Sequence, residues 1–221
     1  MSRGLTLLEI MVTLGVVAAI LVVVMESMQV MAIGVKSSQA SSDLSTRTTG
    51  TLYDIVSELR QAAAYSPNFN IEQDIARPPS ITFDLVAGVD GKGNIVWGNK
   101  VTYALQLMPE PEASQFDYLG VDAGQLIRTE TNSLGVSTIT LVEDCVPYQY
   151  MEPGISSWGF AVSRDGNALS ISLSRFADSG APSGHTYQNV SDGSTLKPSV
   201  NIVRTTGIYF LRNPQSVIVL N

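Results

Sequence analysis

Residues 5–25 read L-T-L-L-E-I-M-V-T-L-G-V-V-A-A-I-L-V-V-V-M, and the only polar side chains among them are Thr6, Glu9 and Thr13. As a helix this stretch is about 31 Å long, the thickness of a bilayer core. No proline interrupts it, and its single glycine, Gly15, is of a kind that membrane helices tolerate. A secretory signal is a poor match, because Arg3 gives a basic start but the apolar run is long and no A-x-A site follows it. A buried soluble helix is argued against by sixteen nearly unbroken apolar residues. A plain membrane anchor leaves Glu9 unexplained. A carboxylate in hydrocarbon costs about 2.5–3.5 kcal/mol at mid-bilayer, so an acid placed there points to a function.

The spacing around that acid is specific. G-L-T-L-L-E-I-M-V-T-L, residues 4–14, resembles the class III signal of type IV pilins and of the pseudopilins of type II secretion. That family has a short basic leader ending in Gly, a large apolar residue, Ser or Thr, two aliphatics, then Glu at the head of a hydrophobic helix. The resemblance makes residues 1–4 the leader, Gly4 the residue a prepilin peptidase reads, and Leu5 the first mature residue, whose α-amine is methylated. The departure is Leu5, where most members have Phe. The same resemblance makes Glu9 the assembly residue. Its carboxylate, one helical turn from Leu5, pairs with an α-amine in its own chain or a neighbour's and so sets the axial register of the next subunit.

Bulk properties narrow the function further. The chain has 221 residues, a net charge of −7 and a pI near 4.6, which argue against nucleic acid as a partner. A single cysteine, Cys145, excludes an intrachain disulfide, and the part beyond the helix is large enough to form a core without one. Arg3 precedes the apolar run and Lys36 and Arg47 follow it, so the positive-inside rule gives no orientation. The resemblance supplies it: leader in the cytoplasm, head outside the inner membrane.

From Glu26 the helical pattern continues through Gly34, Gly50 and a Ser/Thr-rich run of low propensity. It strengthens again at Leu52, Ile55, Val56, Leu59 and Ala63, a stripe suited to packing on a sheet, with Glu58, Arg60 and Gln61 on the opposite face. Pro67 ends it. One helix over 5–65 with a soft middle, or two stacked helices, both suit the text. After Pro78-Pro79 the period changes to two, which predicts strands at 81–86, 95–97, 101–107, 125–131, 136–142, 148–151, 158–163, 168–175, 202–211 and 216–220. Asp90-Gly91, Asp165-Gly166-Asn167 and Asp192-Gly193 mark turns, and 109–111 and 179–197 are loops. Helix first and strands afterwards predicts an α+β fold, a long N-terminal hydrophobic helix carrying a β-rich head over 66–221 with a largely antiparallel sheet.

Within the head, V-T-Y-A-L, Q-L-I-R-T-E and I-T-L-V-E-D-C-V-P-Y-Q-Y-M are similar to segments of J-type minor pseudopilins and W-type minor pilins. The matching positions are Tyr103 and Leu105, Leu126 and Arg128, Asp144, Val146 and Tyr150, and Leu211-Arg212-Asn213.

Catalysis finds no foothold, and no cofactor is implied. His185, the only histidine, lies in a Ser/Gly-rich loop, so a Ser-His-Asp triad has no other base. One His and one Cys do not make a zinc site, and the acid pairs Glu110/Glu112 and Glu143/Asp144 have the character of solvated charge. D-G-K-G-N at 90–94 and D-G-N at 165–167 offer oxygens without EF-hand spacing, although some resembling proteins bind calcium in a late loop. The resemblance therefore implies a structural subunit, a minor pilin or pseudopilin. Its partners are other such subunits, the prepilin peptidase and an inner-membrane assembly platform. A major pilin, or a tethered adhesive domain that never polymerises, are the alternatives.

Overall fold

A computed structural model of the chain describes residues 7–62, 66–74, 76–110, 112–113, 122–152, 155–178, 187–189, 195 and 200–210. It is α+β, one long apolar helix followed by a β-rich part made of antiparallel sheets. Helix α1 runs Leu7–Gln61, 55 residues, about 82 Å at 1.5 Å per residue. It is a single helix with no break at Gly34 or Gly50. The Ser/Thr-rich stretch stays helical, with its hydroxyls satisfied on the preceding turn: Thr46 Oγ1 donates to Ser42 O at 2.9 Å, Thr48 Oγ1 to Leu44 O at 2.7 Å and Thr49 Oγ1 to Ser45 O at 2.7 Å.

Among the described residues eleven strands follow: β1 Asn70–Asp74, β2 Arg77–Val89, β3 Ile95–Leu107, β4 Ala123–Thr131, β5 Ser137–Pro147, β6 Gln149–Glu152, β7 Ile155–Trp158, β8 Phe160–Asp165, β9 Ala168–Asp178, β10 Gln188–Asn189 and β11 Val200–Phe210. They form an antiparallel meander in the order β1-β2-β3-β4-β5 and two three-stranded sheets, β10-β6-β7 and β11-β9-β8. Three hairpins have the chemistry their turns demand. Gly93, Gly135 and Gly166 all sit at positive φ, and Asn132 Oδ1 accepts from the amides of Leu134 and Val136. The third hairpin, β8 to β9, is the one expected around Asp165-Gly166-Asn167.

Several expected boundaries move. The runs 95–97 and 101–107 are one strand, because irregular pairing of Asp84 to Gly88 with β3 absorbs the intervening Gly98. Pro78 and Pro79 lie inside β2, not before it. Pairing with β3 begins only at Ser80, and the register with β1 shifts between Glu72 and Asp74, so neither proline has to donate to a ladder. The run 158–163 is split at Gly159. A Cβ there would stand 1.8 Å from Pro147 O, and the bare backbone lets the chain pass from one sheet to the next. β1, β10 and, apart from Trp158, β7 are not among the expected strands. The expected strand 216–220, His185 and Asp192-Gly193 lie outside the described residues.

The core joins the last third of α1 to the sheets. Leu52, Ile55, Val56, Leu59 and Ala62 pack with Ile81, Phe83, Val101, Leu105, Leu126, Leu169, Ile171 and Leu173, all buried. Ala62 occupies the place expected for Ala63, which is outside the described residues. The helix rests on β9, β11 and β2, while β5 lies against β9. Below Thr48, the first fully buried residue, α1 touches little of the head. From Leu7 to Val35 its large apolar side chains are exposed. This segment is long and apolar enough to cross a membrane, with a mean hydropathy of 2.4 over its best window.

Candidate functional site: the bare helix and its joint to the head

Glu9 occupies the first turn of α1, on the exposed apolar segment. The helix continues past it without disturbance, and Thr13 Oγ1 donates to the Glu9 carbonyl oxygen at 2.6 Å. Ile10, Thr13, Leu14 and Val17 line a shallow apolar groove one to two turns further on. Gly4 and Leu5, the expected processing residues, fall outside the described residues.

What orients this rod relative to the head is a pair of polar clusters under α1. In the first, Glu58 accepts from Tyr103 Oη at 2.8 Å and from Arg128 Nε at 3.0 Å. Arg128 Nη1 reaches Glu130 at 2.7 Å, and Asn99 Nδ2 donates to the other Glu130 oxygen at 2.6 Å. Glu58 is therefore not on the solvent face expected for it. At 100° per residue it follows Ile55 by three and precedes Ala62 by four, so it borders the buried stripe. Tyr103 and Arg128 are cross-strand partners in the β3–β4 ladder, as are Leu105 and Leu126 below them, so two of the short head motifs meet in one place.

In the second cluster, Arg175 on β9 forms a buried ion pair with Glu143 on β5 through Nη2. Thr51 on α1 adds a hydroxyl bond to Glu143 at 3.1 Å. Helix and two sheets thus converge on a single carboxylate. Asp144, 60% exposed, stays at the margin, 4.0 Å from the same guanidinium. The expected solvated pair is therefore only half right: Asp144 is solvated, but Glu143 is buried and engaged by Arg175 and Thr51. Val146 and Tyr150, the other residues of that motif, are core. The side chain of Cys145 and residues 211–213 lie outside what is described.

Burial and the adjoining Glu58 push the Tyr103 hydroxyl well above its ordinary pKa of 10.0. Burial draws Arg128 down, but the Glu58 and Glu130 carboxylates outweigh it and hold the guanidinium above its usual range. The hydrogen bond from Asn99, then that from Arg128, hold Glu130 below its usual 4.5. Burial, with Arg47 nearby, draws Arg175 below its ordinary value. A pH profile follows. Tyr103, raised on folding, contributes stability that is complete below pH about 10 and is lost above it; Glu130, lowered on folding, contributes stability that is complete above pH about 4.5 and is lost below it. The thermal midpoint of the head should therefore be flat between these limits and fall on both sides. Tyr103→Phe should shrink the alkaline decline, leaving the part due to Tyr148, which burial and Asp122 also raise. An unchanged alkaline limb in that variant refutes the assignment.

Among the described residues no group of three His, Cys, Asp or Glu side chains is arranged to hold an ion. In the 90–94 loop the Asp90 carboxylate is already taken by the amides of Lys92 and Asn94 and by Asn94 Nδ2, which hold its pKa low. It is a turn device. What the fold defines is a class: a β-rich head clamped to the end of a helix that is long and apolar enough to span a membrane. No protein-family model, curated protein or solved structure matches the chain.

Proposed function

We propose that this chain is a structural subunit of a type IV pilus or type II secretion pseudopilus, in the manner of the minor pilins and pseudopilins. It is held by residues 5–25 in the inner membrane with its head outside. A prepilin peptidase removes residues 1–4, and the α-amine of Leu5 is methylated. The subunit is then handed by an assembly platform into a filament or its tip. It performs no catalysis; its chemistry is the meeting of one carboxylate with one amine in an apolar bundle.

The observation that carries this reading is the pairing of Glu9 with a bare apolar rod. Some forty residues of α1 are left without cover by the head, and an ionisable group stands in the first turn of that uncovered length. Lipid covers the aliphatic side chains, but a carboxylate held in hydrocarbon is costly. A neighbouring helix of the same construction covers them equally well and brings an α-amine as a counter-charge, and the clamp at Glu58 and Glu143 sets where along the axis the head comes to rest.

Processing is the direct test. Intact-mass measurement of protein from its native host should show residues 1–4 missing and one methyl group added, and Gly4→Asp should leave a full-length membrane precursor. A mature N-terminus beyond residue 25 would mean a cleaved secretory signal and ends the proposal.

A further inference from the structure

We propose that the outer edge of β5 is a docking edge. It takes one extended strand from another protein, an uncharged segment in which aliphatic and hydroxyl side chains alternate, as a sixth strand of the β1–β5 sheet. β5 ends that sheet. Asn132 N donates to Val136 O at 3.0 Å at the hairpin mouth. From that bonded pair the ladder alternates, so Glu130 with Thr138 and Arg128 with Thr140 exchange bonds. The amides and carbonyls of Ser137, Ile139 and Leu141 consequently point away from β4, and no backbone bond meets them among the described residues. A row of such groups repeating every second residue is complementary to one thing, another strand.

Along its open stretch the strand itself carries none of the usual protections of a sheet edge. Residues 131–142, T-N-S-L-G-V-S-T-I-T-L-V, hold no charge and no proline in a chain whose net charge is −7. The register shifts of the β4–β5 pair fall beyond Leu141, past the open stretch. Ile139 and Leu141 project from one face of the edge, 67% and 54% exposed, while Val136, 61% exposed, lies on the other face with Thr138 and Thr140, and Leu134, 84% exposed, stands at the hairpin tip. A strand laid here gains main-chain bonds at Ser137, Ile139 and Leu141. Its aliphatic side chains meet Ile139 and Leu141, and its small or hydroxyl ones fall beside the exposed Thr138 and Thr140.

A second copy does not fit. Antiparallel pairing of two β5 edges creates a twofold axis normal to the sheet, and α1 lies along that sheet's face through Glu58, Tyr103 and Arg128. The axis would turn the two helices end for end, which one membrane does not allow. This exclusion rests on α1 being a membrane anchor; the edge itself does not depend on Glu9, so its test is separate from that of assembly.

The test uses the full-length protein in detergent micelles and the capped peptide K-T-V-T-I-T-V-T-K. Amide exchange at Ile139 and Leu141 should slow at least tenfold on adding the peptide. The same peptide N-methylated at alternate residues, which keeps its side chains and loses its bonding edge, should have no effect. Ile139→Lys, with an unchanged circular dichroism spectrum, should weaken peptide binding at least tenfold. No slowing, or equal slowing by the N-methylated peptide, overturns the proposal. So does protection already present without peptide, in a dimer (a second copy on the edge) or in a monomer (the chain's own residues on it).

Discussion

If the chain is the filament subunit proposed above, Glu9→Leu should be processed normally, accumulate in the membrane, and be lost from filaments by a hundredfold or more. The substitution removes a carboxylate that is expensive in lipid, so insertion of the isolated subunit improves or stays the same. Inside a bundle the effect reverses, because the α-amine it should meet is left as an unpaired ammonium among aliphatic side chains. Removing one partner of a buried pair costs about 3–5 kcal/mol, which is between two and four powers of ten in a docking equilibrium. The head should be untouched, since the buried side chains that α1 packs into the core, Leu52 to Ala62, lie more than forty residues beyond Glu9. Fractionating sheared filaments from inner membrane, for wild type and variant side by side, reads the outcome. Equal filament content and equal filament number would leave a tethered domain that never polymerises as the better description.

Glu143→Ala unfolds the joint from the other end. Arg175 is only 8% exposed, its Nε and Nη1 have no hydrogen-bond partner among the described residues, and Glu143 is its buried counter-charge, with Asp144 at the margin 4.0 Å away. Deleting the carboxylate strands a buried cation beside Arg47, at a cost of about 3–5 kcal/mol. For a head of this size that lowers the melting midpoint by about 10 °C. A buried pair need not be better than a well-packed apolar one, however, and Glu143→Met with Arg175→Leu should recover most of the loss. Melting of the full-length protein followed by the strand signal in circular dichroism distinguishes these outcomes. A single variant that melts with wild type would show that the ion pair does not hold helix and sheets together.

The alternation of residues that places strands in the text also carried a message about these joints. In β9, Leu169, Ile171 and Leu173 point inward, and Arg175 is next in the same series. In β4, Arg128 follows Leu126 by two. A charged residue where the period requires core announces a partner on the facing element, and in both cases the partner exists. Which partner it is could not be read, because Glu58 and Glu143 become neighbours only when helix and sheets pack. The main strands and the helix were legible because each buries one face with a regular period. β1, N-I-E-Q-D, has one aliphatic side chain and is recruited by β2; β10 is too short to have a pattern. The break at Gly159 reflects a contact with Pro147, twelve residues away, which no local period contains. The unbroken middle of α1 was blurred by Ser and Thr, whose low helix propensity is overridden between an apolar segment on one side and a packed one on the other, their hydroxyls being satisfied on the preceding turn.

The division of α1 at Thr48 makes the molecule a lever. Its free arm, residues 7–47, is about 61 Å long, and the clamped arm, 48–61, about 21 Å. A sideways load applied near Glu9 therefore reaches the far end of the clamp magnified about threefold by the ratio of those arms. The fulcrum lies beside Thr51, where Glu143 and Arg175 tie two sheets to the helix. Tension along the helix axis has no such arm and is spread over every contact from Thr48 to Ala62 at once. The same joint that yields to bending thus holds against pull.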